Sequence, residues 1–137
     1  MLGRLDYAAR LDGILAYLPS DDSEQLIVAW HPYPGKKCGL DDTDCREKTV
    51  ATVMETRPVV AGEFGRNDCT TQDIETFMDW MDQEPHRGSY LAWVWTVVST
   101  DKCPGQGGHG KYDLISDYDG TPTTPYGAAV RAHYQKF

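Results

Sequence analysis

Apolar side chains recur along this chain at two different intervals, and the intervals predict the elements. Residues 5–18 repeat Leu11, Ile14, Leu15 and Leu18 at helical spacing until Pro19 interrupts. Leu26-Ile-Val-Ala-Trp30 is an unbroken apolar run of strand length, as expected for a strand covered on both faces of a parallel sheet. A helix is expected over 45–56, with Val50, Val53 and Met54 on one side, and a second covered strand over Pro58-Val-Val-Ala-Gly62. Thr70 or Thr71 can cap a third helix carrying Ile74, Phe77, Met78 and Met81. Tyr90-Leu-Ala-Trp-Val-Trp-Thr-Val-Val98 reads as the third strand, and a last helix is expected over roughly 126–136.

The order α-β-α-β-α-β-α argues for α/β layering with parallel strands. The strand ends, near His31, Glu63 and Trp95, recur every 32 residues. Eight such strand–helix units would need ~250 residues, the usual size of a (β/α)8 TIM barrel. The expected fold is therefore a partial (β/α)8 barrel, a half-barrel formed as a single domain over 1–137. An open doubly wound sheet would explain the alternation too, but with few strands.

Composition narrows the partners. The chain has 137 residues, 40% apolar and 25% charged, which fits a globular protein with a real core. Its formal charge of −8 opposes binding to a phosphate backbone, so nucleic acid is not an expected partner. No apolar stretch approaches the ~20 residues that cross a bilayer, so no membrane partner is expected either. Four Trp, eight Tyr and three Phe supply faces on which neutral sugar rings can stack. The opening Met1-Leu-Gly-Arg-Leu-Asp6 has the pattern of neither a signal nor a transit peptide. Cys38, Cys45, Cys69 and Cys103 include no C-x-x-C pair, which points away from zinc and towards disulfides in an oxidising compartment. Three pairings remain open.

Functional groups in α/β folds gather where strands end. Strand one ends Trp30-His31-Pro32-Tyr33, strand two ends Gly62-Glu63-Phe64-Gly65, and strand three carries Trp93 and Trp95. Glu63 is the sharpest of these, because a carboxylate leaving an apolar strand must be satisfied or functional. Two other motifs carry less. Gly105-x4-Gly110-Lys111 has phosphate-loop spacing, but Tyr112 replaces the Ser or Thr and no helix is expected to follow. Asp41, Asp42 and Asp44 lack the glycine and terminal Glu of a calcium loop, so a solvated loop is the better reading. No metal and no cofactor is expected. A generic α/β-hydrolase or flavodoxin-like reading would need a Gly-x-Ser-x-Gly elbow or a phosphate loop after the first strand, and the sequence has neither.

Trp30-His31-Pro32-Tyr33, Val59-Val60-Ala61-Gly62-Glu63-Phe64-Gly65 and Leu91-Ala92-Trp93-Val94-Trp95 together resemble the sixth to eighth strands of glycoside hydrolase family 5 cellulases. Gly3-Arg4-Leu5-Asp6-Tyr7-Ala8 is similar to the segment leaving that family's fifth strand, and Asp117–Pro122 with Tyr126-Gly127 to its closing loop and last helix. The resemblance implies a retaining endo-β-1,4-glucanase type of activity, with Glu63 as nucleophile, His31 and Tyr33 around it, and Trp95 or Trp93 as the sugar platform. It implies the pairings Cys38–Cys45 and Cys69–Cys103 and a secreted, extracellular protein. The implied partners are a β-glucan or related polysaccharide, with either a second copy of the chain or a complementary N-terminal half-barrel. The family's Asn-Glu general acid has no counterpart here. The only Asn is Asn67, followed by Asp68, the nearest candidate acid; Glu24, Glu47, Glu55, Glu75 and Glu84 fall on helices or their edges. A carbohydrate-binding or self-assembling module without catalysis is the competing expectation.

Overall fold

The computed structural model describes residues 3, 6–86, 88–104 and 108–137. Arg4 and Leu5 of the opening segment, where the first helix was expected to begin, and Gly105 of the phosphate-loop spacing lie outside the described residues. Three strands form one sheet in the order β1-β2-β3: β1 (Val28–Trp30), β2 (Val59–Phe64) and β3 (Ser89–Ala92). β1 and β2 run parallel, with Val28 opposite Val59, Ala29 opposite Val60 and Trp30 opposite Ala61. Every residue of β1 is buried, as its unbroken apolar run requires.

Helix α1 is continuous but composite: Thr43–Cys45 is α-helical, Arg46–Val50 is a π turn, and Ala51–Met54 is α-helical again. Asp42 caps it by accepting from the Cys45 N–H at 3.0 Å. Helix α2 covers Ile74–Asp82, with Ile74, Phe77, Met78 and Met81 wholly buried, as their spacing predicts. It begins too late for Thr70 to cap it; the Thr70 hydroxyl bonds to Asp68 instead, at 2.8 Å. Helix α3 covers Tyr126–Tyr134. Thr123 ties its first turn, accepting from the Gly127 N–H at 3.1 Å and donating to the Asp113 carbonyl at 2.5 Å. Gly127 has to be glycine, because a Cβ there would overlap the Leu114 carbonyl.

The half-barrel expectation is overturned. Among the described residues a three-stranded sheet with three helices makes a small α/β arrangement, and a partial (β/α)8 barrel is not shown. An even 32-residue interval reports only the length of each strand-to-strand crossover, which any parallel α/β sheet shares. Two expected elements also fall short. The apolar repeat over 5–18 yields one 3-10 turn, Ile14–Tyr17, because Gly13 takes a left-handed φ of 70° immediately before it. The third strand stops at Ala92 rather than Val98: the Val94 N–H instead donates to the Tyr112 carbonyl at 2.7 Å, and the Val94 carbonyl accepts from the Leu114 N–H at 3.0 Å.

By packing, the chain divides into two compact units. The first comprises Met1–Phe64 and Trp80–Leu91, the second Gly65–Asp79 and Ala92–Phe137. In the first, Trp30 meets Trp80 edge-on at 6.3 Å, and the buried Arg46 guanidinium lies 5.5 Å over the Trp80 ring. Ala8, Ala9, Leu11 and Ile14 are buried in the same unit, and the Ala8 carbonyl accepts from the His31 N–H at 3.0 Å just past β1. In the second, the buried Asp113 carboxylate accepts from the Ser99 hydroxyl and from the Gly110 N–H, fastening the loop between them. The disulfides are Cys38–Cys45 in the first unit and Cys69–Cys103 in the second, with Cα atoms 4.9 and 5.7 Å apart. Among the described residues no cysteine is free. Two disulfides are compatible with an oxidising, extracellular setting.

Candidate functional site

The β1–β2 register builds the site. Trp30 is opposite Ala61, so His31, the first residue past β1, lies beside Gly62, which is still within β2. Gly62 gives the imidazole its room, since a Cβ there would stand 3.1 Å from His31 Nε2. One residue further, Glu63 projects beside both. Its Oε2 accepts a hydrogen bond from the Tyr33 hydroxyl at 2.8 Å, and His31 Nδ1 stands 3.8 Å from the same oxygen. The first contact is a full hydrogen bond, and the second is too long for one. The Glu63 side chain is 31% exposed and that of His31 23%, so the carboxylate is sheltered but reachable.

Tyr33 is held by its own loop. Its N–H donates to the His31 carbonyl at 3.1 Å and its carbonyl accepts from the Lys36 N–H at 3.2 Å. Beyond it, Asp41 accepts from the Gly35 N–H at 3.1 Å, Asp42 receives the Cys38 N–H at 3.3 Å, and Cys38–Cys45 closes the segment. The aspartates weighed above as calcium ligands thus serve the chain itself, and Asp44 pairs with Lys48 at 2.7 Å. Among the described residues no group of three or more His, Cys, Asp or Glu could hold a metal. Lys111, from the phosphate-loop spacing, pairs with Asp101 at 3.1 Å.

Glu63, His31 and Tyr33 open into a cavity of about 370 Å³, which Asp6, Tyr7, Ala9 and Lys36 complete. Sequence reasoning missed Asp6, Tyr7 and Lys36 as wall residues. Asp6, Tyr7 and Ala8 are consecutive left-handed residues, with φ of 56°, 55° and 65°. Each such non-glycine residue costs about 1–2 kcal/mol. The turn is held by the Ala9 N–H on the Asp6 carbonyl (3.0 Å), by Lys36 Nζ on Asp6 Oδ1 (2.9 Å) and by the buried alanines. Apolar periodicity carries no signal for a left-handed turn, and a helix expected over 5–18 concealed it.

Trp93 and Trp95 belong to the second unit. Both are exposed, Trp95 at 69%. Trp95 lies against Gly120, and with Tyr118, Asp119, Arg131 and Tyr134 it lines a second cavity of about 610 Å³. Asp68, the candidate acid, is held well below the usual carboxylate range, first by its hydrogen bonds from the Arg66 guanidinium and then by those from Thr70. A general acid must carry a proton at working pH, so Asp68 is unsuited to that role. Comparison with family models, curated proteins and solved structures finds no match to the chain.

Proposed function

We propose that the Glu63 pocket is a retaining β-glycosidase site of the cellulase type, acting on β-1,4-linked glucan. The observation that carries this reading is one carboxylate oxygen, Glu63 Oε2, receiving the Tyr33 hydroxyl at 2.8 Å with His31 at 3.8 Å, inside an open cavity of about 370 Å³. A nucleophile for an anomeric carbon needs a fixed rotamer, partial shelter and room for a ring, and these residues supply each. The resemblance of the His31 and Glu63 segments to family 5 strand ends supports the same roles. Glu63 attacks C1, the bond from C1 to the leaving oxygen breaks, and that oxygen departs with the electron pair. Retaining chemistry uses a second carboxyl ~5–5.5 Å away to protonate the leaving oxygen. With Asp68 kept ionised, the reading favours substrates whose leaving group needs no proton, and cleavage of unactivated glucan ~10²–10⁴-fold below that of a site with its acid. The two disulfides support a secreted protein.

The experiment is covalent trapping with 2,4-dinitrophenyl 2-deoxy-2-fluoro-β-cellobioside. Its leaving group departs unprotonated, and its fluorine slows release of the glycosyl-enzyme. Mass spectrometry should find one fluorocellobiosyl group on the Glu63 peptide, absent after Glu63→Gln. A folded protein left unlabelled overturns the proposal. A second reading, a glucan-binding module without catalysis, is favoured by the aromatic cavity around Trp95, Tyr118 and Tyr134. It predicts co-sedimentation with insoluble glucan that Glu63→Gln leaves intact and Trp95→Ala weakens.

A further inference from the structure

Three of the residues around Glu63 are not explained by an attacking carboxylate: Asp6, Tyr7 and Lys36. Lys36 is no free cation for an anionic ligand, because its Nζ lies 2.9 Å from Asp6 Oδ1. That compensation leaves this wall of the cavity suited to a neutral, polyhydroxylated ring. Between the ion pair and the buried Ala8, the left-handed turn aims Tyr7 outward, 90% exposed at the cavity wall. An unfavourable backbone persists where its surroundings over-determine it, and such sites gather at ligand clamps. Here the fastening is in hand: the Asp6–Lys36 pair on one side of Tyr7, and the Ala8 carbonyl on the His31 N–H at 3.0 Å on the other. The same His31 flanks Glu63, so the tyrosine is tied through one short segment to the reacting carboxylate.

Resting on the glycosidase reading above, we infer that Tyr7 is a substrate-binding platform, stacking on the sugar ring adjoining the one whose C1 faces Glu63. The site therefore takes at least a β-linked disaccharide. A tyrosine ring offers a rigid apolar face at low entropic cost, and its hydroxyl stays in water. The Asp6–Lys36 pair acts only through the turn, as a positioning device.

The test measures binding apart from chemistry. Isothermal titration of cellotetraose is carried out on the Glu63→Gln protein, alone and with Tyr7→Phe or Tyr7→Leu added. Phenylalanine keeps the ring face and should bind within about twofold of the parent. Leucine fills similar volume without the face and should weaken binding about tenfold. Thermal unfolding should not change, because the ring is exposed. Equal binding by the leucine variant, or no binding by any of the proteins, overturns the inference. Trapping at Glu63 with no effect of Tyr7 on binding overturns this inference alone. Tyr7-dependent binding without trapping overturns the hydrolase reading alone.

Discussion

Removing the Tyr33 hydroxyl tests whether the shortest contact to Glu63 controls its reactivity. Tyr33→Phe deletes one donor at 2.8 Å from Glu63 Oε2 and keeps the ring. A hydrogen bond to a charged group contributes ~1.5–3 kcal/mol when sheltered. Glu63 is 31% exposed, so water replaces part of what is lost and the low end applies. The slowing comes from lost orientation of the attacking oxygen, and about 1.5 kcal/mol of that in the barrier is roughly a tenfold slower attack. His31→Ala should slow attack less, since its nitrogen is 3.8 Å away and makes no direct hydrogen bond. The readout is the second-order rate constant for trapping by the fluorocellobioside, followed as labelled Glu63 peptide at fixed pH. Because that reagent needs no protonation, the rate reports the nucleophile and nothing downstream. Labelling by Tyr33→Phe at the parent rate, or a larger defect in His31→Ala, would refute the ordering by distance. Urea unfolding should show Tyr33→Phe within ~1.5 kcal/mol of the parent, which separates lost orientation from lost fold.

Three structural predictions follow from the same geometry. Replacing Cys69 and Cys103 together should cost ~3–4 kcal/mol against ~2–2.5 for Cys38 and Cys45, because they close loops separated by 34 and 7 residues; urea titrations that reverse this order would contradict it. Gly127→Ala drives a methyl into the Leu114 carbonyl and should destabilise by ~1–3 kcal/mol or more, read as a lower midpoint of unfolding. Asp68 has a folded pKa below its unfolded value, ~3.9, so its contribution is complete above that pH and is lost as pH falls towards the folded value. Asp68→Asn should therefore destabilise fully at pH 6, with a deficit that shrinks as pH falls below ~3.9 and is smaller at pH 2; an equal deficit at both would refute the Arg66 linkage.

How much of this was legible depends on which forces are local. The apolar runs at 28–30 and 59–61 name the first two strands, of which only β1 is buried throughout, and once those pair in parallel His31 must lie beside Gly62 and Glu63. His31, Tyr33 and Glu63 were readable for that reason: their meeting follows from register, which hydrophobic pattern specifies. The Asp6–Ala8 turn was not readable, because its handedness is imposed by contacts to Lys36 and His31, distant in sequence. The end of the third strand was hidden similarly. Trp93-Val-Trp-Thr-Val-Val98 has strand-forming residues throughout, yet Val94 turns to Tyr112 and Leu114, a pairing that local propensity does not encode. The barrel expectation failed at a different step. Closing a barrel depends on strand tilt and shear, whereas a repeat interval measures only the chain between strands. The candidate nucleophile does not depend on that closure. Its geometry needs two parallel strands, a glycine beside the imidazole and a loop that returns Tyr33, and all of these lie within one compact unit.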